Sequence, residues 1–214
     1  MTDAGKVRPE QPEFVHTYVP GKTTTTLLLL HGTGGDERSL LPMARVIDEG
    51  AATLAVRGNV LENGMPRFFR RFAEGVFDIE DLKFRANELA GFLGWASRGY
   101  GFSPDSLIAL GYSNGANIGA ALLLLRPEVL GRAILFRPTM PLVPETVPDL
   151  SGKSVFISAG RRDEMTPRAK TEELEEFLKA AGAEVTINWE EATHSMTRHD
   201  IEKAASWLRS PKIR

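Results

Sequence analysis

The chain has 214 residues, 42% of them hydrophobic and 25% charged, an ordinary globular composition whose length suits one domain, expected over residues 1–214. It contains no cysteine, which excludes disulfides, thiolate metal sites and cysteine nucleophiles together. With 26 Lys and Arg against 28 Asp and Glu, a net charge of −2, no basic cluster stands out to hold nucleic acid or an anionic membrane.

The first twenty residues, MTDAGKVRPEQPEFVHTYVP, lack the apolar stretch of a secretory signal. No later run approaches the roughly 20 apolar residues of a membrane span, so a cytoplasmic protein without membrane insertion is expected. Phe14–Val19 is predicted as an additional edge strand. Short apolar runs then recur at Leu27–Leu30, Ala52–Val56, Leu107–Leu110, Ala133–Phe136, Val155–Ile157 and Val185–Trp189. Most end at a Gly, Pro or polar turn, as buried strands do. Helical spacing is predicted between them, near Leu40–Asp48, Ile79–Ser97, Asn114–Leu125, Arg168–Ala181 and Arg198–Leu208, with Gly182 as a helix stop. Strand and helix alternate, which argues an α/β protein with a mainly parallel sheet.

Two segments fit no regular element. Arg57–Phe77 holds Met65, Phe68, Phe69, Phe72 and Phe77 among Arg67, Arg70 and Arg71, and Pro138–Pro148 holds four prolines. Both follow predicted strands, and ligands in open α/β sheets sit beyond the carboxyl ends of strands.

The strongest local signal is LIALGYSNGANIGAALLLL, in which Gly111-Tyr112-Ser113-Asn114-Gly115 has the form G-x-S-x-G between a strand and a helix. Such a turn is so sharp that its serine takes a strained backbone and lifts its hydroxyl above the sheet. A serine hydroxyl needs a neighbouring base. Of the four histidines, His16 and His31 precede the serine, against the usual Ser, Asp, His order of this elbow. His199 falls inside the last predicted helix, whereas His194 sits in the loop EATHSM, free to reach over the sheet. The acid that orients the imidazole is expected to be Asp163, a few residues past a strand end in SVFISAGRRDEMTP; Asp149 precedes a strand, at the wrong edge. The loop His31-Gly32-Thr33-Gly34-Gly35 follows a strand and suits an oxyanion hole made of the Thr33 and Asn114 amides. It matches neither G-x-x-x-x-G-K-[ST] nor G-x-G-x-x-G, so a nucleotide loop is not expected. The histidines lack ligand spacing, so no metal site is expected.

LLLLHGTGGDE, LENGMPRFFRR, LGYSNGAN, ISAGRRDEMTP and EATHSM together resemble the phospholipase/carboxylesterase family of α/β-hydrolases. That family includes bacterial carboxylesterases and acyl-protein thioesterases, and the likeness is greatest to its small bacterial branch, some members of which are linked to hydroquinone stress. The resemblance runs from about Val19 to Leu208. It implies Ser113, Asp163 and His194 as a triad, Thr33 and Asn114 as oxyanion donors, and no cofactor. It is compatible with a homodimer. In one departure, the eukaryotic thioesterases usually carry Gln where this chain has Asn114.

The expected molecule is therefore an α/β-hydrolase with helices on both faces of a mostly parallel sheet and no large cap domain. It is expected to cleave small-molecule esters, of short acyl or small aromatic groups, through an acyl-serine. Met65, Phe68, Phe69, Phe72, Met140 and Met165 are the candidates for the pocket wall. The alternatives are a thioesterase, lysophospholipase or amidase on the same triad, a non-catalytic binding protein of this fold, and a structural or interaction protein.

Overall fold

A computed structural model describes residues 13–210; residues 1–12 and 211–214, part of the expected domain span of 1–214, lie outside the described residues. The chain opens with β1 (His16–Val19), β2 (Thr26–Leu30), α1 (Leu41–Ile47) and β3 (Ala52–Val56). Four short strands follow: β4 (Val60–Glu62), β5 (Met65–Arg67), β6 (Arg71–Ala73) and β7 (Val76–Phe77). A long helix, α2 (Ile79–Tyr100), then leads to β8 (Leu107–Tyr112), α3 (Asn114–Leu125) and β9 (Arg132–Phe136). The last third contains β10 (Ser154–Gly160), α4 (Arg168–Ala180), β11 (Glu184–Glu190) and α5 (Arg198–Leu208).

Seven strands form one sheet in the order β1-β3-β2-β8-β9-β10-β11, in which only β1 runs antiparallel to its neighbour. The central strands are buried along nearly their whole length and mostly apolar because both faces of the sheet are covered. Alternate side chains serve opposite faces. Leu27 and Leu29 point with Ile108, Leu110, Ile134 and Phe136 toward Met43 and Ile47 of α1 and Trp207 of α5. Leu28 and Leu30 point with Leu54 and Val56 toward Leu89, Phe92 and Leu93 of α2, Ile118 and Leu122 of α3, and Leu174 and Leu178 of α4. The mostly parallel, two-faced α/β architecture expected from the alternating runs is thus the one observed. Local signals set the helix ends: Asp78 caps α2 by accepting from the Asp81 N–H, and Gly101 at φ 77° stops it.

The Arg57–Phe77 segment corrects the expectation of a loop without regular elements. It folds as two small antiparallel hairpins, β4–β5 and β6–β7. The first turns on Asn63-Gly64, both at positive φ (52° and 79°), which is the chemistry a two-residue hairpin turn demands. Pro138–Pro148 does lack regular structure, yet Met140 and Leu142 within it are buried. Among the described residues no helix is long and apolar enough to cross a membrane.

From β2 the chain moves outward to β3, then returns through α2 to β8 on the other side of β2. The segments that leave β2 and β8 at their carboxyl ends therefore diverge, and a crevice opens at this switch in strand order.

Candidate active site

Ser113 stands in that crevice, between β8 and α3. Its φ of 53° and ψ of −115° are sparsely populated for a residue with a Cβ. The flanking glycines make the turn sterically feasible. A side chain at Gly115 would strike the Leu30 carbonyl, and one at Gly111 would strike the Gly115 carbonyl and the Ala116 backbone. The Ser113 N–H is anchored on the Phe136 carbonyl at 2.9 Å.

The structure brings Ser113, His194 and Asp163 together from three separate segments. His194 Nε2 lies 2.8 Å from Ser113 Oγ, and His194 Nδ1 lies 2.9 Å from Asp163 Oδ2. A carboxylate can only accept, so Nδ1 must carry the proton, which leaves Nε2 free to receive the serine proton. Asp163 is buried, and its other oxygen accepts the N–H groups of Met165 and Thr166, 3.0 Å each, so the turn before α4 holds the carboxylate in place. His199 points elsewhere: it is exposed on α5 with Nδ1 at 2.6 Å from Glu190. Asp149 is exposed, and it accepts the Ser151 N–H.

The loop after β2 lies across the crevice from Ser113. Its Gly34 N–H is spent on the Pro66 carbonyl and its Gly35 N–H on the Gly32 carbonyl. His31 braces the loop from below. Its Nδ1 bonds to the Gly32 carbonyl at 2.7 Å, and its Nε2 accepts the Gly58 N–H at 3.0 Å. Acceptance at Nε2 requires a neutral imidazole with its proton on Nδ1, and burial holds the His31 pKa below the usual histidine value.

A cleft of about 330 Å³ extends from Ser113 and His194. Of the six side chains expected in its wall, Met140 and Met165 line it. The other four are placed differently. Phe68 and Phe69 are buried in the core under the hairpins, Met65 lies against Gly34, and Phe72 is exposed. Phe77, Arg67, Arg71, Glu74 and Lys170 line the cleft instead, so it is more charged than the phenylalanine-rich sequence suggests. Arg67 is buried. It donates to the Thr33 hydroxyl at 2.6 Å and pairs with Glu62 at 3.0 Å, and Arg71 pairs with the same Glu62 at 2.9 Å. Burial, then the neighbouring Arg71 charge, lowers the Arg67 pKa. Asn114 is also fixed, its Oδ1 accepting the Phe68 N–H at 2.7 Å. Among the described residues no group of three or more His, Asp or Glu side chains is arranged to hold a metal ion.

Sequence reasoning gave no role to Arg137 or Tyr112, which bond to the segment carrying His194, or to Asp200, which pairs with Arg137. The available signal was an arginine directly after the apolar run of β9. A charge there must be paired if it is buried.

The dienelactone hydrolase family model matches residues 87–208. MhqD of Bacillus subtilis (strain 168) is 46% identical over 194 residues, covering 91% of this chain and 97% of that protein. The crystal structure of the Bacillus cereus carboxylesterase is 49% identical with a TM-score of 0.91, covering 94% of this chain and 95% of that one. The structure of YahD with malic acid is 28% identical with a TM-score of 0.87, covering 92% of this chain and 98% of that one.

Proposed function

We propose that this chain, which belongs to the dienelactone hydrolase family, is a serine carboxylesterase that cleaves small esters through an acyl-serine intermediate. The observation that carries the reading is the hydrogen-bonded line Ser113–His194–Asp163 at the head of the cleft. Ser113 Oγ attacks the ester carbonyl carbon while His194 Nε2 takes its proton, and Asp163 stabilises the imidazolium. The amides of Thr33 and Asn114 donate to the oxyanion. Collapse expels the alcohol, which receives the proton from His194. Water, deprotonated by the same imidazole, then attacks the acyl-serine and releases the acid.

The cleft volume of about 330 Å³ lies at the low end for ligand sites and supports a small substrate. Arg67, Arg71 and Lys170 in its wall support an ester that also carries a carboxylate. The likeness to YahD, whose structure holds malic acid, supports the same class.

The test is hydrolysis of p-nitrophenyl esters, acetate through long chains, with a matched thioester, by wild type and Ser113→Ala. The expected result is turnover that falls with chain length and drops about 10⁶-fold in the variant. Near-normal turnover by Ser113→Ala would remove the serine from its role. Preference for the thioester would move the protein to the thioesterase class.

A further inference from the structure

Arg137 lies one residue past β9, fully buried, and none of the steps above uses it. Its backbone sits at φ 55°, a left-handed conformation that is costly for a side chain bearing a Cβ. The Arg137 N–H, bonded to the Ser158 carbonyl at 2.8 Å, holds it there.

The guanidinium uses all five of its N–H groups. Nη1 and Nη2 grip Asp200 Oδ1 and Oδ2 at 2.9 and 2.8 Å. The second Nη1 hydrogen goes to the Ser158 carbonyl at 3.2 Å. Nε donates to the Thr193 carbonyl at 3.1 Å, and the remaining Nη2 hydrogen to the Ser195 carbonyl at 2.9 Å. Those are the two carbonyls flanking His194. The carbonyl of His194 itself accepts from the Tyr112 hydroxyl at 3.2 Å. Three consecutive carbonyls of an irregular segment are thus each held by a side chain anchored at the end of a central strand.

Two roles separate here. The bidentate pair with Asp200 ties α5 to the sheet, since Asp200 also caps that helix and accepts from Ser158 Oγ. The carbonyl bonds do something else: they fix the backbone from which His194 projects. A lysine would satisfy the charge of Asp200, but its single nitrogen cannot span both carbonyls.

We propose that Arg137, assisted by Tyr112, is a positioning residue that keeps the His194 imidazole between Asp163 and Ser113. The inference rests on the esterase reading above. A displacement of about 1 Å in such an array lowers the rate roughly 10²-fold, and residues 193–195 lie outside any helix or strand whose own backbone bonds would hold them.

The test compares wild type with Arg137→Lys, which keeps the charge opposite Asp200. Two quantities are read: steady-state kinetics on a p-nitrophenyl ester, and the downfield proton NMR signal of the His194 Nδ1–H bonded to Asp163. Arg137→Lys is expected to fold, to lose about 10- to 100-fold in kcat with little change in KM, and to lose or exchange-broaden the Nδ1–H signal. A folded variant with wild-type kcat and an intact signal would overturn the proposal. So would a loss of activity that merely follows the unfolded fraction while the signal persists. Should Arg137→Lys fail to fold, Tyr112→Phe removes one hydroxyl only. It is expected to lower kcat about threefold and to speed exchange of the same proton; wild-type values for both would count against the inference. If wild type hydrolyses no ester, the esterase reading fails by itself, and the Nδ1–H signal still decides whether Arg137 positions the imidazole.

Discussion

Arg67 Nη1 donates to the Thr33 hydroxyl at 2.6 Å, and that bond ties the β4–β5 hairpin to the glycine loop after β2. The hairpin therefore serves the proposed oxyanion loop as a brace, with Arg67 held at its other side by Glu62. Thr33→Val keeps the backbone amide but leaves a buried charged donor without its acceptor. We expect a loss of about 1–3 kcal/mol in unfolding free energy by urea denaturation. An unchanged midpoint would mean that the hairpin and the loop are not energetically linked through this bond.

The two histidines near the end of the chain should respond oppositely to truncation. His194→Ala removes the only imidazole in contact with Ser113 among the described residues and is expected to lower kcat about 10⁶-fold, as for other bases of this kind. His199 contacts Glu190 at the exposed start of α5, and His199→Ala should keep activity within about twofold. Steady-state rates of the two purified variants decide, and the reverse pattern would transfer the base to His199.

His31 makes a pH prediction. Its folded pKa lies below the usual histidine value of 6.5 because it is buried. The unfolded chain therefore binds the proton more readily, and stability rises with pH across the interval between the two pKa values. The contribution is fully present above about 6.5 and is lost as pH falls through the lower, folded value. Urea unfolding at stepped pH should show a fall below neutrality that is reduced in His31→Gln. Identical slopes for the two proteins would show that the imidazole does not carry the dependence.

The sheet was legible because Leu27–Leu30, Leu107–Leu110 and Ala133–Phe136 are uninterrupted apolar runs, too short for helices and ending at turns, as strands of a sheet covered on both faces do. The elbow was legible because Gly111 and Gly115 are required by backbone collisions, and sterics of that kind leave a fixed spacing in the sequence. The hairpins were not anticipated, although Asn63-Gly64 is a strong turn signal. The strands are three residues or fewer, and alternation cannot be recognised over so short a stretch. Phe68 and Phe69 read as a pocket wall because composition does not say which side of a hairpin faces the core. Arg137 was unreadable for a related reason: its partner, Asp200, is 63 residues away.

The charged wall of the cleft gives a substrate prediction. Arg71 lines it while sharing Glu62 with Arg67, so one carboxylate faces two guanidinium groups. Esters bearing a second, free carboxylate should thus bind better than neutral esters of equal size. Arg71→Ala is expected to raise KM for the anionic ester about tenfold, which corresponds to the loss of roughly 1.4 kcal/mol, and to leave the neutral ester nearly unchanged. Equal changes for both esters would show that Arg71 serves the hairpin and not the ligand.

Gly64 and Gly115 separate two reasons for needing glycine. At Gly64 φ is 79° and no atom lies within 4 Å of an added Cβ, so Gly64→Ala meets only the intrinsic strain of the left-handed region, about 1–2 kcal/mol. At Gly115 the backbone is ordinary, but an added Cβ collides with the Leu30 carbonyl of a central strand. Relief there requires α3 to move off β2, which opens the core beside Ser113. Gly115→Ala is therefore expected to cost more than about 4 kcal/mol or to abolish cooperative unfolding. Thermal melts of the two variants should differ accordingly. A mild effect at Gly115 would mean that α3 can slide on the sheet, and the serine turn would then owe its shape to the bond from Ser113 N–H to Phe136 more than to close packing.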